Sequence, residues 1–111
     1  MTIIINKLEL PSSEIGWEFQ GSQYADTNVS FLLIDPPPGS GPRLHSHPYE
    51  EIFIVRERQV TLTVGDATIE ATSGQIVIVP AGVPHKFVNS GSGPLRQVDI
   101  HTSHSMITTW L

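Results

Sequence analysis

Proline and glycine divide this 111-residue chain into short segments. Nine prolines and nine glycines are spread along its length, and the runs between them are rich in β-branched and aromatic residues. Long helices do not tolerate breakers at that density, whereas short strands joined by turns do. We predict strands at residues 3–7, 17–20, 29–35, 44–47, 51–56, 59–64, 68–71, 75–79, 85–88 and 95–101. Short strands with turn signals about every 8 to 12 residues are typical of an all-β sandwich or barrel.

Three segments carry more specific expectations. Residues 64–67, Val-Gly-Asp-Ala, form a two-residue hairpin loop because Gly65 can adopt a positive φ. The proline-rich stretch 36–42 has few donors for a β-ladder, so we predict a loop or an edge segment. The run Ile76–Val79 is apolar on both faces, and we therefore expect a central strand that is covered on both sides.

Charge and composition exclude several classes of partner. The net charge is −5 and there is no basic cluster, so we expect no nucleic acid partner. Cysteine is absent, which excludes disulfides and thiolate chemistry. The apolar runs are far shorter than the roughly 20 residues of a membrane helix, and the N-terminus has no signal-peptide pattern. We therefore expect one cytoplasmic domain over residues 1–111 with no membrane partner.

Three elements of the sequence carry side chains that ligate metals. His45 and His47 share one face of a strand because they are two residues apart. Glu51 opens an apolar run, where a carboxylate is costly to bury unless it is paired or ligating. His85 follows the rigid turn Pro80-Ala81-Gly82-Val83-Pro84. Taken singly, each has a simpler interpretation: polar residues on a wet face, a solvated charge at a strand end, and a structural histidine.

Together these residues resemble the two sequence motifs of the cupin superfamily. The first motif, at residues 39–58, has Gly39, His45, His47 and Glu51 in place, with Arg58 where the last glycine is expected. The second, at residues 74–89, has Gly74, Pro80, Gly82, His85 and Asn89 without a departure. The resemblance implies a cupin-type double-stranded β-helix, that is, a jelly-roll barrel. The missing glycine normally turns the chain with positive φ, so Arg58 is expected to be strained unless the turn differs.

The resemblance also implies one divalent metal ion, held by His45, His47, Glu51 and His85. Three imidazoles and a carboxylate suit Fe, Mn, Ni, Co, Cu or Zn, and the order of affinities alone does not choose among them. Four protein ligands leave one or two positions of an octahedral ion open to water, dioxygen or a substrate.

Other residues are candidates for the substrate cavity. Arg43 would face inward if its strand begins early, and is otherwise an exposed loop residue. Phe53 and Phe87 fall on the ligand-bearing faces and predict an apolar cavity wall, although plain core packing gives the same pattern. Asp99 and His101 share a face of the last long strand; a satisfied or surface pair is favoured over an acid–base couple. We do not assign His101 as a metal ligand.

Two functions fit these residues and motifs. The first is a metalloenzyme, dioxygenase-like or an isomerase or lyase, that acts on a small organic substrate in the barrel. The alternative is a non-enzymatic barrel that binds or senses a metal or small ligand, similar to the sensory barrels of some transcription regulators but without a DNA-binding segment. We expect a homodimer in either case, because the apolar residues at 3–5 and 110–111 would otherwise be exposed.

Overall fold

The computed structural model describes residues 2–111, and its long elements are all β-strands. The strands are β1 (Ser12–Ser13), β2 (Gly16–Gln20), β3 (Ser30–Ile34), β4 (His45–Ser46), β5 (Glu51–Glu57), β6 (Gln59–Val64), β7 (Ala67–Thr72), β8 (Ile76–Val79), β9 (His85–Asn89), β10 (Arg96–His101) and β11 (Thr109–Trp110). Short 3-10 turns occupy Lys7–Glu9 and Gly21–Gln23. Within the described residues, no helix is apolar and long enough to cross a membrane.

The strands form two antiparallel sheets that enclose one apolar core. One sheet has six strands in the order β1-β2-β3-β10-β5-β8, and the other has five in the order β11-β4-β9-β6-β7. Side chains alternate between the core and the outside along each strand, and the inward positions of both sheets meet. The buried cluster comprises Ile34, Phe53, Val55, Val60, Leu62, Ala71, Val79, Phe87 and Leu95. This is the all-β jelly-roll barrel that the sequence motifs imply.

The predicted strands agree with the structure except at the N-terminus. Every predicted segment from 17–20 onward overlaps an observed strand. The prediction for 3–7 is wrong, because no strand of the described residues pairs with that segment, Ile4 is 92% exposed, and the chain enters a 3-10 turn at Lys7. The two-residue strands β1 and β11 were not predicted, since a pair of residues carries no periodicity.

The burial expected for the strand Ile76–Val79 is also wrong. This strand, β8, is the edge of the six-stranded sheet and pairs only with β5 among the described strands. Its inward residue Val79 is buried, but Ile76 and Ile78 are 63% and 60% exposed on the outer face. A strand that is apolar on both faces can therefore have one face in the core and the other exposed on the outside of the barrel.

Two turns behave as the sequence suggested. Gly65 has φ of +57° in the hairpin between β6 and β7, where Val64 pairs with Ala67. Arg58 joins β5 to β6 with φ of +69°, so an arginine occupies the left-handed conformation that the missing glycine would favour. The Arg58 guanidinium Nε donates to the carbonyl oxygen of Pro94 at 2.9 Å, which anchors the side chain across the turn.

Asn89, the last residue of the second motif, holds the proline-rich stretch in place. Its side-chain amide donates to the carbonyl oxygens of Pro36 and Gly93, each at 2.8 Å. Its main chain exchanges hydrogen bonds with Gly39 and Ser40. The buried amide thus satisfies loop carbonyls that prolines leave without ladder partners, and it fixes the loop that leads into β4.

Candidate metal centre

Four buried side chains bring ligand atoms together at one end of the barrel. They are His45, His47, Glu51 and His85, the four residues that the motifs predict. Their ligand atoms all lie within 4.8 Å of one another. None of the four residues is more than 6% exposed, so a bound ion would be shielded from bulk water on the protein side.

Strand pairing explains this convergence. His45 opens β4 and lies directly opposite His85, which opens β9. Glu51 opens β5 in the other sheet and points inward, as Phe53 and Val55 do further along the strand. The site therefore forms where the first residues of three strands meet, and the remainder of those strands builds the core beneath it.

Distances among these atoms suit a shared metal ion. The Nε2 atoms of His47 and His85 lie 3.1 and 3.0 Å from Glu51 Oε1. Two ligands about 2.1 Å from an ion and at right angles to each other are separated by about 3 Å. Nitrogen and oxygen atoms at this spacing match neighbouring corners of an octahedron.

Hydrogen bonds fix the tautomers of the three histidines. Each ring donates from Nδ1 to a main-chain carbonyl oxygen: His45 to Arg43 at 2.7 Å, His47 to Ile107 at 2.8 Å and His85 to Val83 at 2.9 Å. A neutral imidazole with its proton on Nδ1 has a lone pair on Nε2. In the described part of the chain, the buried Nε2 of His47 has no hydrogen-bond partner. Lone pairs on three buried rings beside one carboxylate fit a divalent metal ion.

The charges at this site are strongly perturbed. Burial raises the pKa of Glu51, but its contacts with the imidazoles of His101, His47 and His85 outweigh burial and bring that pKa well below its usual range. Burial lowers the pKa of His45, which favours its neutral, ligating form. Burial also lowers the pKa of His85, but its hydrogen bonds to Glu51 and to the Val83 carbonyl oxygen, together with the charge of Glu51, outweigh burial and raise it, so a metal ion would have to displace a proton from Nε2 of this ring.

A fourth histidine contacts the site from β10. The Nε2 atom of His101 lies 3.2 Å from Glu51 Oε2, whereas His47 and His85 contact Oε1. From sequence we favoured a satisfied or surface pair; His101 is 3% exposed and Asp99 is 1% exposed, so neither lies on the surface. The polar face of β10 is its inner face. Asp99 and His101 form no mutual hydrogen bond. Asp99 Oδ1 accepts from the Gln97 amide at 2.6 Å, and His101 contacts Tyr49 and Glu51.

Periodicity identified the face that Asp99 and His101 share, on which Gln97 also lies, but not whether that face points inward or outward. Val98 and Ile100, on the opposite face, are half-buried on the outside of the barrel. A polar row opposite an apolar row ordinarily predicts that the apolar row points inward. Two features of the sequence could have indicated that the polar row points inward. Both rows are short, which weakens the inference from the apolar row, and a metal site needs polar side chains around it inside the barrel.

A cavity of about 330 Å³ opens onto three of the four predicted ligands. It is lined by Ser13, Ile15, Glu18, Gln20, Leu32, Pro42, His45, His47, Glu51, Phe87, Asp99, His101, Met106, Thr108 and Trp110. Among the described residues, this lining includes acidic side chains but no lysine or arginine. Within the same part of the chain, Asp99 Oδ2 and Gln97 Oε1 are buried acceptors without a partner.

The three residues predicted to contact substrate occupy different places. Phe87 lines the cavity. Phe53 is fully buried beneath it, with its ring centroid 5.6 Å from that of Phe87 and 6.0 Å from that of His85. Arg43 precedes β4, which begins only at His45, so its side chain is exposed and lies over the Trp110 ring at 5.1 Å.

Comparison with solved structures finds the same architecture in larger proteins. A variant of the oxalate decarboxylase of Bacillus subtilis aligns with a TM-score of 0.84 and 22% identity, over 96% of this chain and 31% of that chain. An oxalate oxidase aligns with a TM-score of 0.81 and 17% identity, over 97% of this chain and 63% of that chain. Likeness at these identities establishes the fold and not the activity.

Sequence comparison identifies the family. The transcriptional regulator PuuR of Escherichia coli (strain K12) is 26% identical over 105 residues, which are 90% of this chain and 56% of the regulator. An uncharacterized protein of Methanocaldococcus jannaschii is 34% identical over 74 residues, 66% of this chain and 59% of that protein. The chain thus spans less than two thirds of the length of these relatives. The family model of the cupin domain matches residues 32–101, more than half of the chain, which therefore belongs to the cupin family.

Proposed function

We propose that this protein binds one divalent metal ion through His45, His47, Glu51 and His85 and acts there on a small organic molecule. The observation that carries the proposal is the convergence of four buried ligand residues at the floor of a cavity. When bound, the ion would supply Lewis-acid or redox chemistry to a molecule in the cavity. A dioxygenase-like, isomerase or lyase reaction is consistent with this donor set.

The chain itself determines what the cavity accepts. Phe87, Leu32 and Met106 present apolar surface to the cavity and exclude water from it. Asp99 offers an unpartnered oxygen, and no cationic side chain of the described residues lines the cavity. We propose that the substrate is a small polar molecule that hydrogen-bonds to Asp99 and is not a multiply charged anion. The contact roles predicted for Arg43 and Phe53 stay predictions.

A second candidate function is ligand sensing without catalysis. Similarity to the transcriptional regulator PuuR over 90% of this chain favours it. The same buried donors and cavity would then hold a metal or a small effector. Turnover distinguishes the two functions, since a sensor binds the molecule and returns it unchanged.

The decisive experiment is elemental analysis of protein purified without an affinity-tag metal. We expect about one equivalent of metal, with manganese measured first because a solved structure of Bacillus subtilis oxalate decarboxylase is described as having Mn(II) centres. His45→Ala and His85→Ala should lose the metal and keep the β-sheet circular dichroism spectrum. Oxygen uptake and substrate screens on the loaded protein then test for an enzyme. No metal after reconstitution, or stoichiometric metal in both variants, would contradict the proposal.

We also propose that the protein is a homodimer that buries the outer face of its six-stranded sheet. This apolar outer face consists of two rows of paired residues, Ile76–Ile54–Val98–Leu33–Trp17 and Ile78–Ile52–Ile100–Phe31–Phe19. All ten side chains are half-buried or exposed in the single chain. A continuous apolar surface across five strands is typical of a subunit interface. The cytoplasmic location expected from the sequence stays a prediction.

A further inference from the structure

His101 is hydrogen-bonded differently from the three histidines of the metal centre. Those three donate from Nδ1 to main-chain carbonyl oxygens. The Nδ1 atom of His101 instead lies 2.6 Å from the hydroxyl oxygen of Tyr49. Both partners are ambiguous in isolation, since a hydroxyl and an imidazole can each donate or accept.

A third group favours one direction for this hydrogen bond. The main-chain N–H of Ile107 donates to the Tyr49 oxygen at 3.1 Å. The tyrosine oxygen is thus already an acceptor, and its own proton is available for donation. His47 Nδ1, 3.5 Å from the same oxygen, cannot receive that proton because it donates to the Ile107 carbonyl. We therefore assign the Tyr49 hydroxyl as the donor to His101 Nδ1, the acceptor that lies 2.6 Å from it.

An imidazole that accepts at Nδ1 carries its proton on Nε2 when it is neutral. The Nε2 atom of His101 is buried and lies 3.2 Å from Glu51 Oε2, although this contact falls outside hydrogen-bond geometry and Nε2 has no hydrogen-bond partner within the described residues. With a proton on Nε2, His101 has no lone pair to offer a metal at that atom. It faces the carboxylate with an N–H, whereas each of the other three rings, when neutral with its proton on Nδ1, carries a lone pair on Nε2.

We propose that Tyr49 and His101 are a positioning pair that holds Glu51 as a one-oxygen metal ligand. The inference rests on the proposed metal site. His101 contacts Glu51 Oε2, so Oε1 alone is left to bind the proposed metal ion together with His47 and His85. Without the pair, Glu51 is free to offer both oxygens and to occupy a position that a substrate would need. Groups that orient a metal ligand in this way typically contribute about 10- to 100-fold to metal affinity.

The tautomers can be measured directly by ¹⁵N NMR of the imidazole rings, in the metal-free protein and with Zn(II). We expect the proton on Nδ1 in His45 and His47 and on Nε2 in His101. Tyr49→Phe removes the donor and should shift His101 toward the Nδ1-protonated form. His101 protonated on Nδ1 in the wild type, or no change in Tyr49→Phe, would overturn the assignment.

Metal affinity provides the second readout, by titration with Mn(II) under electron paramagnetic resonance. We expect His101→Leu to bind Mn(II) about 10- to 100-fold more weakly. His101→Gln should recover most of the affinity, because its amide N–H can still donate to Glu51. The matched control is His104→Gln, an exposed histidine paired with Asp26 at the surface, and it should not change binding. Circular dichroism confirms that each variant is folded.

The outcomes separate the possible failures. If His101→Gln loses as much affinity as His101→Leu, with an altered Mn(II) spectrum, His101 is a fifth ligand and the positioning role is wrong. If His101→Leu binds Mn(II) like the wild type, the pair does not position Glu51. If the wild type binds no metal while His101 shows the Nε2 proton, the proposed metal function fails and the assigned hydrogen bonds stand.

Discussion

Asp99 is a carboxyl group in an environment that disfavours its charged form. It is fully buried, one oxygen accepts from Gln97, and the other has no partner within the described residues. Burial raises the pKa of Asp99 well above its usual range, and the nearby negative charge of Glu51 raises it further. When the pKa of a group is higher in the folded state than in the unfolded chain, the fold loses stability as the pH rises above the unfolded-state pKa. The reason is that the unfolded chain then releases the proton more readily than the folded one.

We predict that Asp99→Asn is more stable than the wild type at neutral pH and that the advantage vanishes near pH 4. Asparagine keeps the shape and the acceptor for Gln97 but carries no proton to lose. Thermal unfolding of both proteins from pH 4 to pH 7.5 measures the difference in Tm. Asp66→Asn, in the exposed turn between β6 and β7, is the control. A Tm difference independent of pH would contradict the assignment of a buried, proton-retaining carboxyl.

Substitution of Arg58 tests the backbone strain at the one position where the sequence departs from the cupin motifs. Its φ of +69° is unfavourable for any side chain with a Cβ atom. Arg58→Gly and Arg58→Ala both lose the hydrogen bond to Pro94, but only glycine relieves the strain. We predict that Arg58→Gly is more stable than Arg58→Ala by about 1 kcal/mol, measured by urea unfolding. Equal stabilities would show that the turn accommodates a Cβ atom without cost.

The ligand residues were predictable and their supporting residues were not, for a physical reason. His45, His47 and Glu51 are close in sequence, so strand periodicity and a motif suffice to place them. His101 contacts Glu51 only because β10 pairs with β5 in the register that sets these two residues opposite each other. That register depends on the packing of the whole sheet, and a one-residue shift would turn His101 outward.

At the scale of elements, the C-terminal segment supports the site more than its length suggests. Its strand β11 pairs with β4, placing the Trp110 ring 5.1 Å from the His45 ring. The main chain of Ile107 accepts from His47 and donates to Tyr49. Neither role was visible in the sequence, because main-chain groups carry no sequence signal and β11 is two residues long.

We predict that deletion of residues 106–111 weakens Mn(II) binding by about 10- to 100-fold, since it removes the carbonyl group that orients His47. Both sheets should survive, because β11 contributes only two residue pairs at an edge. Deletion of residues 2–7, which form no strand and do not line the cavity, is the matched control. Unchanged affinity in the C-terminal deletion would show that His47 is held by its strand alone.

At the scale of the whole molecule, the apolar outer face is the surface on which the proposed homodimer depends. The sequence predicted a homodimer from apolar residues at the two chain ends, whereas the structure places the more continuous apolar surface on the six-stranded sheet. Periodicity alone could not reveal this surface, because a strand that is apolar on both faces looks the same in a covered sheet and at an uncovered edge. Five strands at about 4.8 Å spacing extend the face over roughly 20 Å.

We predict that the wild type is a dimer by light scattering after size-exclusion chromatography, and that Ile76→Lys combined with Ile78→Lys is a monomer. These two side chains are the most exposed of the apolar outer face, and two buried ammonium groups per subunit would oppose association strongly. Ile107→Lys places the same change on an isoleucine that is 52% exposed and lies outside this face, so it should remain a dimer. A monomeric wild type would contradict the proposal, and a dimer that survives the double substitution would show that the subunits meet through another surface.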